Sequence, residues 1–133
     1  MNSNPKKILI IEDEIVLLGM LKNNLSKIQD DLIIEEAMDG EEGLEKALKI
    51  HPDLILLDIL LPKMDGVEMA KELRKDEWGK TVKVIILSVV SDMDYVQKAL
   101  EGDSFEYLVK SDTPMDSIVE KVKEAIQVKP NEH

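Results

Sequence analysis

Glu12 and Asp13, Asp58, Ser88 and Lys110 are the residues whose types and positions could do chemistry together. Each ends, or directly follows, a short β-rich run: Lys7 to Glu12, Asp53 to Asp58, Val82 to Ser88 and Phe105 to Val109. Taken one at a time they have ordinary readings, because an acid after a strand often caps the next helix, a serine serves in turns and a lysine is usually solvated. They become a set if the runs lie side by side. Carboxylates gathered at one edge raise one another's pKa by repulsion unless a cation joins them. An all-oxygen donor set favours Mg²⁺, which keeps several waters and binds through one or two carboxylates plus phosphate oxygens. Asp13 and Asp58 are then the direct ligands, with Glu12 acting through water. The Ser88 hydroxyl and the Lys110 ammonium supply the charge neutralisation that the outer oxygens of a phosphoryl group need. Asp58 is the expected nucleophile: Leu54-Ile55-Leu56-Leu57 hold it rigidly and the cation offsets repulsion from the incoming phosphate, giving an aspartyl phosphate.

The elements that must position these groups follow from periodicity. The β-rich runs, with a further one from Leu32 to Met38, alternate with stretches at helical spacing, an α/β pattern. Several runs are nearly continuous Ile, Leu and Val, as strands covered on both faces should be. Ile15, Leu18, Leu21, Leu25 and Ile28 mark the inward stripe of a first helix, with Lys22, Asn23 and Asn24 facing water. Later helices are expected over Gly40 to Ile50, Asp65 to Asp76, Asp92 to Glu101 and Pro114 to Val128, the last capped within Ser111 to Thr113 and carrying Ile118, Val122, Ala125 and Ile126 inward. The expected architecture is a doubly wound, five-stranded parallel sheet with five helices, since a closed eight-stranded barrel needs about 250 residues. In such sheets ligands bind at the carboxyl ends of the strands, where the candidate residues stand. Leu61-Pro62-Lys63-Met64-Asp65-Gly66 forms a turn-rich lip just after Asp58, with Pro fixing one φ and Gly permitting an unusual one.

Composition narrows the function classes. A chain of 133 residues, 44% apolar and 34% charged, is sized and balanced for one globular domain: residues 1–133, with a core from about 6 to 128 and tails 1–5 and 129–133. The net charge of -11 repels a phosphate backbone and argues against direct nucleic-acid or anionic-membrane binding. With no cysteine, thiol catalysis and cysteine-ligated metal are excluded. No segment approaches the roughly 20 apolar residues of a membrane span, and the run Ile8 to Ile11 is too short for a signal-peptide core, so the expected location is cytoplasmic. His51, before Pro52, and His133, in the tail, are not placed as phosphodonors.

The ordered set resembles the receiver domain of two-component response regulators, from about Lys6 to Val128. It is carried by Glu12-Asp13 after Ile8-Leu9-Ile10-Ile11, by Asp58 with Leu61-Pro62 and Met64-Asp65-Gly66 behind it, by Ser88, and by Tyr107 three residues before Lys110. The resemblance implies a flavodoxin-like strand order of 2-1-3-4-5. It also implies that a histidine kinase or phosphotransfer protein gives phosphate to Asp58. Glu12, Asp13, Asp58 and the backbone carbonyl of Leu60 would hold Mg²⁺, and Ser88 and Lys110 would bind the phosphoryl oxygens. Tyr107 would turn inward when the phosphoryl group captures Ser88, changing the face made by the fourth helix, fifth strand and fifth helix for a downstream effector protein or a homodimer partner. Such a module is a phosphoacceptor, not an enzyme, and here it is read as stand-alone.

The chain departs from the family pattern in places. Lys110 is followed by Ser111 rather than proline, and because a non-proline cis bond costs roughly 2.5 to 4 kcal/mol, a trans peptide is expected there. Val89 replaces the usual small residue after Ser88, which would crowd the phosphoryl site. Leu60 and Val90 occupy positions that in this family tune phosphate lifetime; both are apolar, so slow autodephosphorylation is expected. Gly102 stands one residue further from Tyr107 than is usual, leaving the start of the fifth strand open. Three other classes share parts of this pattern. A flavodoxin-like mononucleotide binder needs a Gly- or Ser-rich loop where this chain has Glu12-Asp13-Glu14. An Asp-nucleophile phosphatase needs cap elements for which there is little room. A pseudo-receiver would use the fold only to bind protein.

Overall fold

The computed structural model of the protein describes residues 5–110 and 113–126. Strands and helices alternate along the chain: β1 (Lys7–Ile11), α1 (Ile15–Leu25), β2 (Ile33–Ala37), α2 (Gly40–Ile50), β3 (Leu54–Asp58), α3 (Gly66–Lys75), β4 (Lys83–Ser88), α4 (Val90–Ala99), β5 (Glu106–Val109) and α5 (Met115–Ile126). All pairings are parallel and the sheet order is β2-β1-β3-β4-β5. The winding reverses between β1 and β3, which opens a crevice at their carboxyl ends.

Both faces of the sheet are covered, which is why its central strands need no polar alternation. Residues alternate between faces along β1: Leu9 and Ile11 join a cluster with Ala47, Met69, Leu73 and Val96 from α2, α3 and α4, while Ile8 and Ile10 join Leu18, Leu21, Leu25, Ile118 and Val122 from α1 and α5. β3 is buried at every position. At about 1.5 to 3 kcal/mol for each fully buried Leu or Ile side chain, this two-faced core fixes the strand tips that carry the polar groups.

Local chemistry sets the helix starts. Asp39 caps α2 by accepting from the Glu42 amide at 2.7 Å, and Asp65 caps α3 by accepting from Glu68 at 2.9 Å. α4 has no such cap: it starts at Val90, two residues before the expected Asp92, because β4 runs into it through the single extended residue Val89. β5 starts at Glu106, one residue later than expected, where pairing with Ile85 begins. The Arg74 guanidinium braces the approach to it, donating to Ser104 O at 2.7 Å and to Gly79 O and Val82 O at 2.7 and 2.9 Å, and lies 4.3 Å from the Phe105 ring centre.

Two expectations are corrected. Ile15 is not part of the inward stripe but 73% exposed, because the first turn of α1 overhangs the strand tips, where no sheet remains beneath it. In the lip after Asp58, the left-handed φ falls on Lys63, at 68°, and not on glycine. Gly66 serves another purpose: a Cβ there would collide with the backbone oxygen of Asp58. No cis peptide occurs among the described residues. The Lys110–Ser111 bond, a cap at Ser111 or Asp112, and the end of the last helix at 127–128 lie outside the described residues.

Candidate functional site

Asp58 ends β3, 3% exposed, and Glu12 follows β1, 1% exposed, so two carboxylates sit in the crevice where the winding reverses. Asp13 stands beside them, half-buried. One carboxylate oxygen from each of Glu12, Asp13 and Asp58 lies within 4.8 Å of the others. Lys110 enters from the end of β5, placed by its own amide, which donates to Ser88 O at 2.8 Å and ties the β5 tip to the β4 tip. Its Nζ lies 3.2 Å from Asp58 Oδ1, 3.4 Å from Glu12 Oε1 and 3.1 Å from Glu14 Oε2.

Burial and mutual repulsion leave this cluster electrostatically unsettled. Desolvation raises the Glu12 carboxyl to about 7, helped by the nearby Asp58 charge and opposed by the Glu14 amide and Lys110. Desolvation likewise raises Asp58, against the pull of Lys110 and the Ile59 amide. Burial alone would lower the Lys110 ammonium, but the Asp58 charge, the Glu14 hydrogen bond and the Glu12 charge outweigh it and hold it raised. Glu12 Oε2 accepts from the Glu14 amide at 3.0 Å, whereas Glu12 Oε1 is buried and accepts no hydrogen bond; its 3.4 Å separation from Lys110 is an ion pair only. A buried anionic oxygen without a donor is costly, and a divalent cation held by all three carboxylates would satisfy it. The donor set, all oxygen, fits Mg²⁺.

The remaining sequence candidates lie on β4, β5 and the segments that follow β3 and β4. Ser88 ends β4, 1% exposed, and its hydroxyl donates to Val89 O at 3.1 Å. Leu60, on the loop following β3, and Val90, the first residue of α4, are 62% and 64% exposed. Tyr107 pairs with Ile86 in the sheet, packs half-buried against the core and meets Phe105 edge to face, 6.5 Å between ring centres. Burial raises its phenol, as does the Asp103 charge. His51 lies away from this set, capping α2 in a left-handed conformation and stacking on Trp78 at 4.3 Å.

One residue at the site was not singled out as a functional candidate in the sequence. Glu14 is the nearest carboxylate to Lys110, yet in the sequence it is only one acid of a repulsive loop. Its adjacency to Glu12-Asp13 was the available signal; the reach of Lys110 across from β5 was not visible in one dimension.

A doubly wound sheet of this order, with acids at the β1 and β3 tips and a lysine at the β5 tip, defines a protein class. Residues 8–123 match the family described as response regulator receiver domain, and the chain belongs to that family. Receiver domains are signalling modules. The chain is similar to the transcriptional regulatory protein YvfU of Bacillus subtilis, described as uncharacterized, at 33% identity over 92% of this chain and 60% of that protein. It is also similar to the alkaline phosphatase synthesis transcriptional regulatory protein PhoP of B. subtilis, at 38% identity over 84% of this chain and 45% of that protein. Among solved structures, the chemotaxis response regulator CheY4 of Vibrio cholerae superposes with a TM-score of 0.77 at 26% identity, covering 92% of this chain and 99% of that one. The chain spans between 45% and 60% of the two regulators' length. No helix among the described residues is long and apolar enough to cross a membrane.

Proposed function

We propose that this chain is a phosphoacceptor receiver: Asp58 takes a phosphoryl group from a phosphohistidine on a histidine kinase or phosphotransfer protein. A carboxylate oxygen of Asp58 attacks phosphorus, the new O–P bond forms as the P–N bond breaks, and the electron pair leaves with the imidazole nitrogen, which takes up a proton. Glu12, Asp13, Asp58 and the Leu60 carbonyl would hold Mg²⁺, which neutralises charge on the reacting phosphoryl oxygens. Lys110 pairs with a phosphoryl oxygen, and the Ser88 hydroxyl turns from Val89 O to another. Val89 and the first turn of α4 follow Ser88, Tyr107 moves into the space released, and the face of α4, β5 and α5 changes for a downstream effector or a second copy of the chain. On this reading the chain works in the cytoplasm, and its net charge of -11 sets it against contact with nucleic acid.

The observation that carries the reading is the Lys110 ammonium 3.2 Å from a buried Asp58 whose neighbours Glu12 and Asp13 leave a bare buried oxygen. The test is incubation with Mg²⁺ and a small acyl phosphate, followed by intact-mass measurement. One phosphate should be gained, and both Asp58→Ala and removal of Mg²⁺ should abolish the gain. No gain in the wild-type protein would leave the fold as a protein-binding module and overturn the phosphoacceptor reading.

A further inference from the structure

An ammonium has three N–H bonds, and Lys110 Nζ faces three different carboxylates: Glu14 Oε2 at 3.1 Å, Asp58 Oδ1 at 3.2 Å and Glu12 Oε1 at 3.4 Å. Asp58 and Glu12 also belong to the oxygen cluster completed by Asp13. The lysine and a divalent cation therefore contend for the same two carboxylates. Glu14 is the one partner of Lys110 outside that contest. Its side chain is 64% exposed and reaches the ammonium from the solvent side, while its amide holds Glu12 Oε2 and leaves Glu12 Oε1 as the bare oxygen.

We propose that Glu14 is a positioning residue: it draws the Lys110 ammonium toward the mouth of the site and so keeps Asp58 and Glu12 open to a divalent cation. The inference rests on the reading of this pocket as a Mg²⁺ site. Without Glu14, Nζ has only Asp58 and Glu12 to pair with, at the buried end of its range where low dielectric strengthens an ion pair, and it settles there. A cation must then displace it. With Glu14 present, the lysine has a third anchor at little cost, because an exposed pair is weak and the four-carbon stem is flexible. Glu14 acts through Lys110, not by touching the metal.

Calorimetric titration of MgCl₂ into the unphosphorylated chain tests this with a double-mutant cycle of Glu14→Gln and Lys110→Met. Glu14→Gln should weaken Mg²⁺ binding by about threefold when Lys110 is present and by clearly less when it is methionine. Loss of one negative charge from the surrounding field would weaken binding by the same factor in both backgrounds, and that result overturns the proposal. Glu14→Asp needs no change at Lys110: it keeps the charge but withdraws the carboxylate by one methylene, and should weaken binding by an intermediate factor. Wild-type affinity for Glu14→Asp would also overturn the proposal. Failure of the metal-site reading itself looks different, since the wild-type chain would then show no Mg²⁺ binding, or binding indifferent to Asp13→Ala.

Discussion

Glu12 carries a measurable consequence of being buried without a full set of donors. Its carboxyl sits near 7 in the folded chain against 4.5 in an unfolded one, so between those values the folded state binds more protons than the unfolded state. Stability therefore falls as pH rises from about 5 to 7 in metal-free buffer, by an amount on the order of 2 kcal/mol for a shift of this size. Glu12→Gln, neutral at every pH, should flatten that slope and make the protein more stable than wild type at pH 7. Urea titrations at several pH values in EDTA check it, and a slope unchanged in the variant would show that Glu12 is not its source. A second residue-scale expectation concerns the exposed pair at the mouth, Leu60 and Val90. Neither offers a polar group to orient an attacking water. The double variant Leu60→Asn, Val90→Asn should shorten the lifetime of phosphate on Asp58 by about tenfold, the roughly 1.4 kcal/mol of barrier that one hydrogen bond to the attacking water can supply. Phosphate loss followed over time by intact mass measures it; an unaltered lifetime would remove apolarity at these positions as the cause of slow loss.

Element boundaries were legible where a side chain itself makes the boundary. Asp39 and Asp65 cap α2 and α3; α2 spans the expected Gly40–Ile50, and α3 starts one residue after the expected Asp65. Legibility failed where a boundary is made by tertiary packing. α4 starts at an uncapped valine because a buried strand delivers the chain there, and Ile15 is exposed because a periodic stripe does not reveal where the sheet beneath it stops. The turn residues of the β3-to-α3 lip are plain in the sequence, but its tightness arises from close approach: Gly66 presses on the Asp58 carbonyl, and its amide donates to Ile59 O at 2.8 Å. Gly66→Ala must push back the backbone of Asp58, the proposed phosphoacceptor. It should cost about 2 kcal/mol by overpacking and slow phosphorylation of Asp58 as well. Asp65→Ala, one residue earlier, removes only the cap, and should cost about 1 kcal/mol with phosphorylation nearly unaltered. Denaturant midpoints and acyl-phosphate incorporation on both variants separate these outcomes; equal kinetic effects would deny Gly66 its influence on Asp58.

At the scale of the molecule, alternating runs implied a parallel sheet, but periodicity could not order its strands. The order 2-1-3-4-5 follows from the resemblance carried by Glu12-Asp13, Asp58, Ser88 and Lys110, and the sheet has that order. The convergence of these polar groups concentrates destabilising charge at one end of a molecule whose two apolar clusters supply its stability. A cation that binds the folded crevice and not the open chain must then raise the stability of the whole fold by RT ln(1 + [L]/Kd), which is about 1.4 kcal/mol at ten times Kd. For a domain of this size that corresponds to a rise of about 5 °C in Tm. Trp78, stacked on His51 at the end of α2, is the only tryptophan of the chain and reports unfolding by its fluorescence. Thermal melts with increasing MgCl₂ should show the midpoint rising with concentration in the wild-type protein. Asp13→Ala, which removes the least buried carboxylate of the cluster, should abolish most of the rise while leaving the metal-free midpoint close to its original value. A rise that persisted undiminished in that variant would place the stabilising cation elsewhere on this acidic surface.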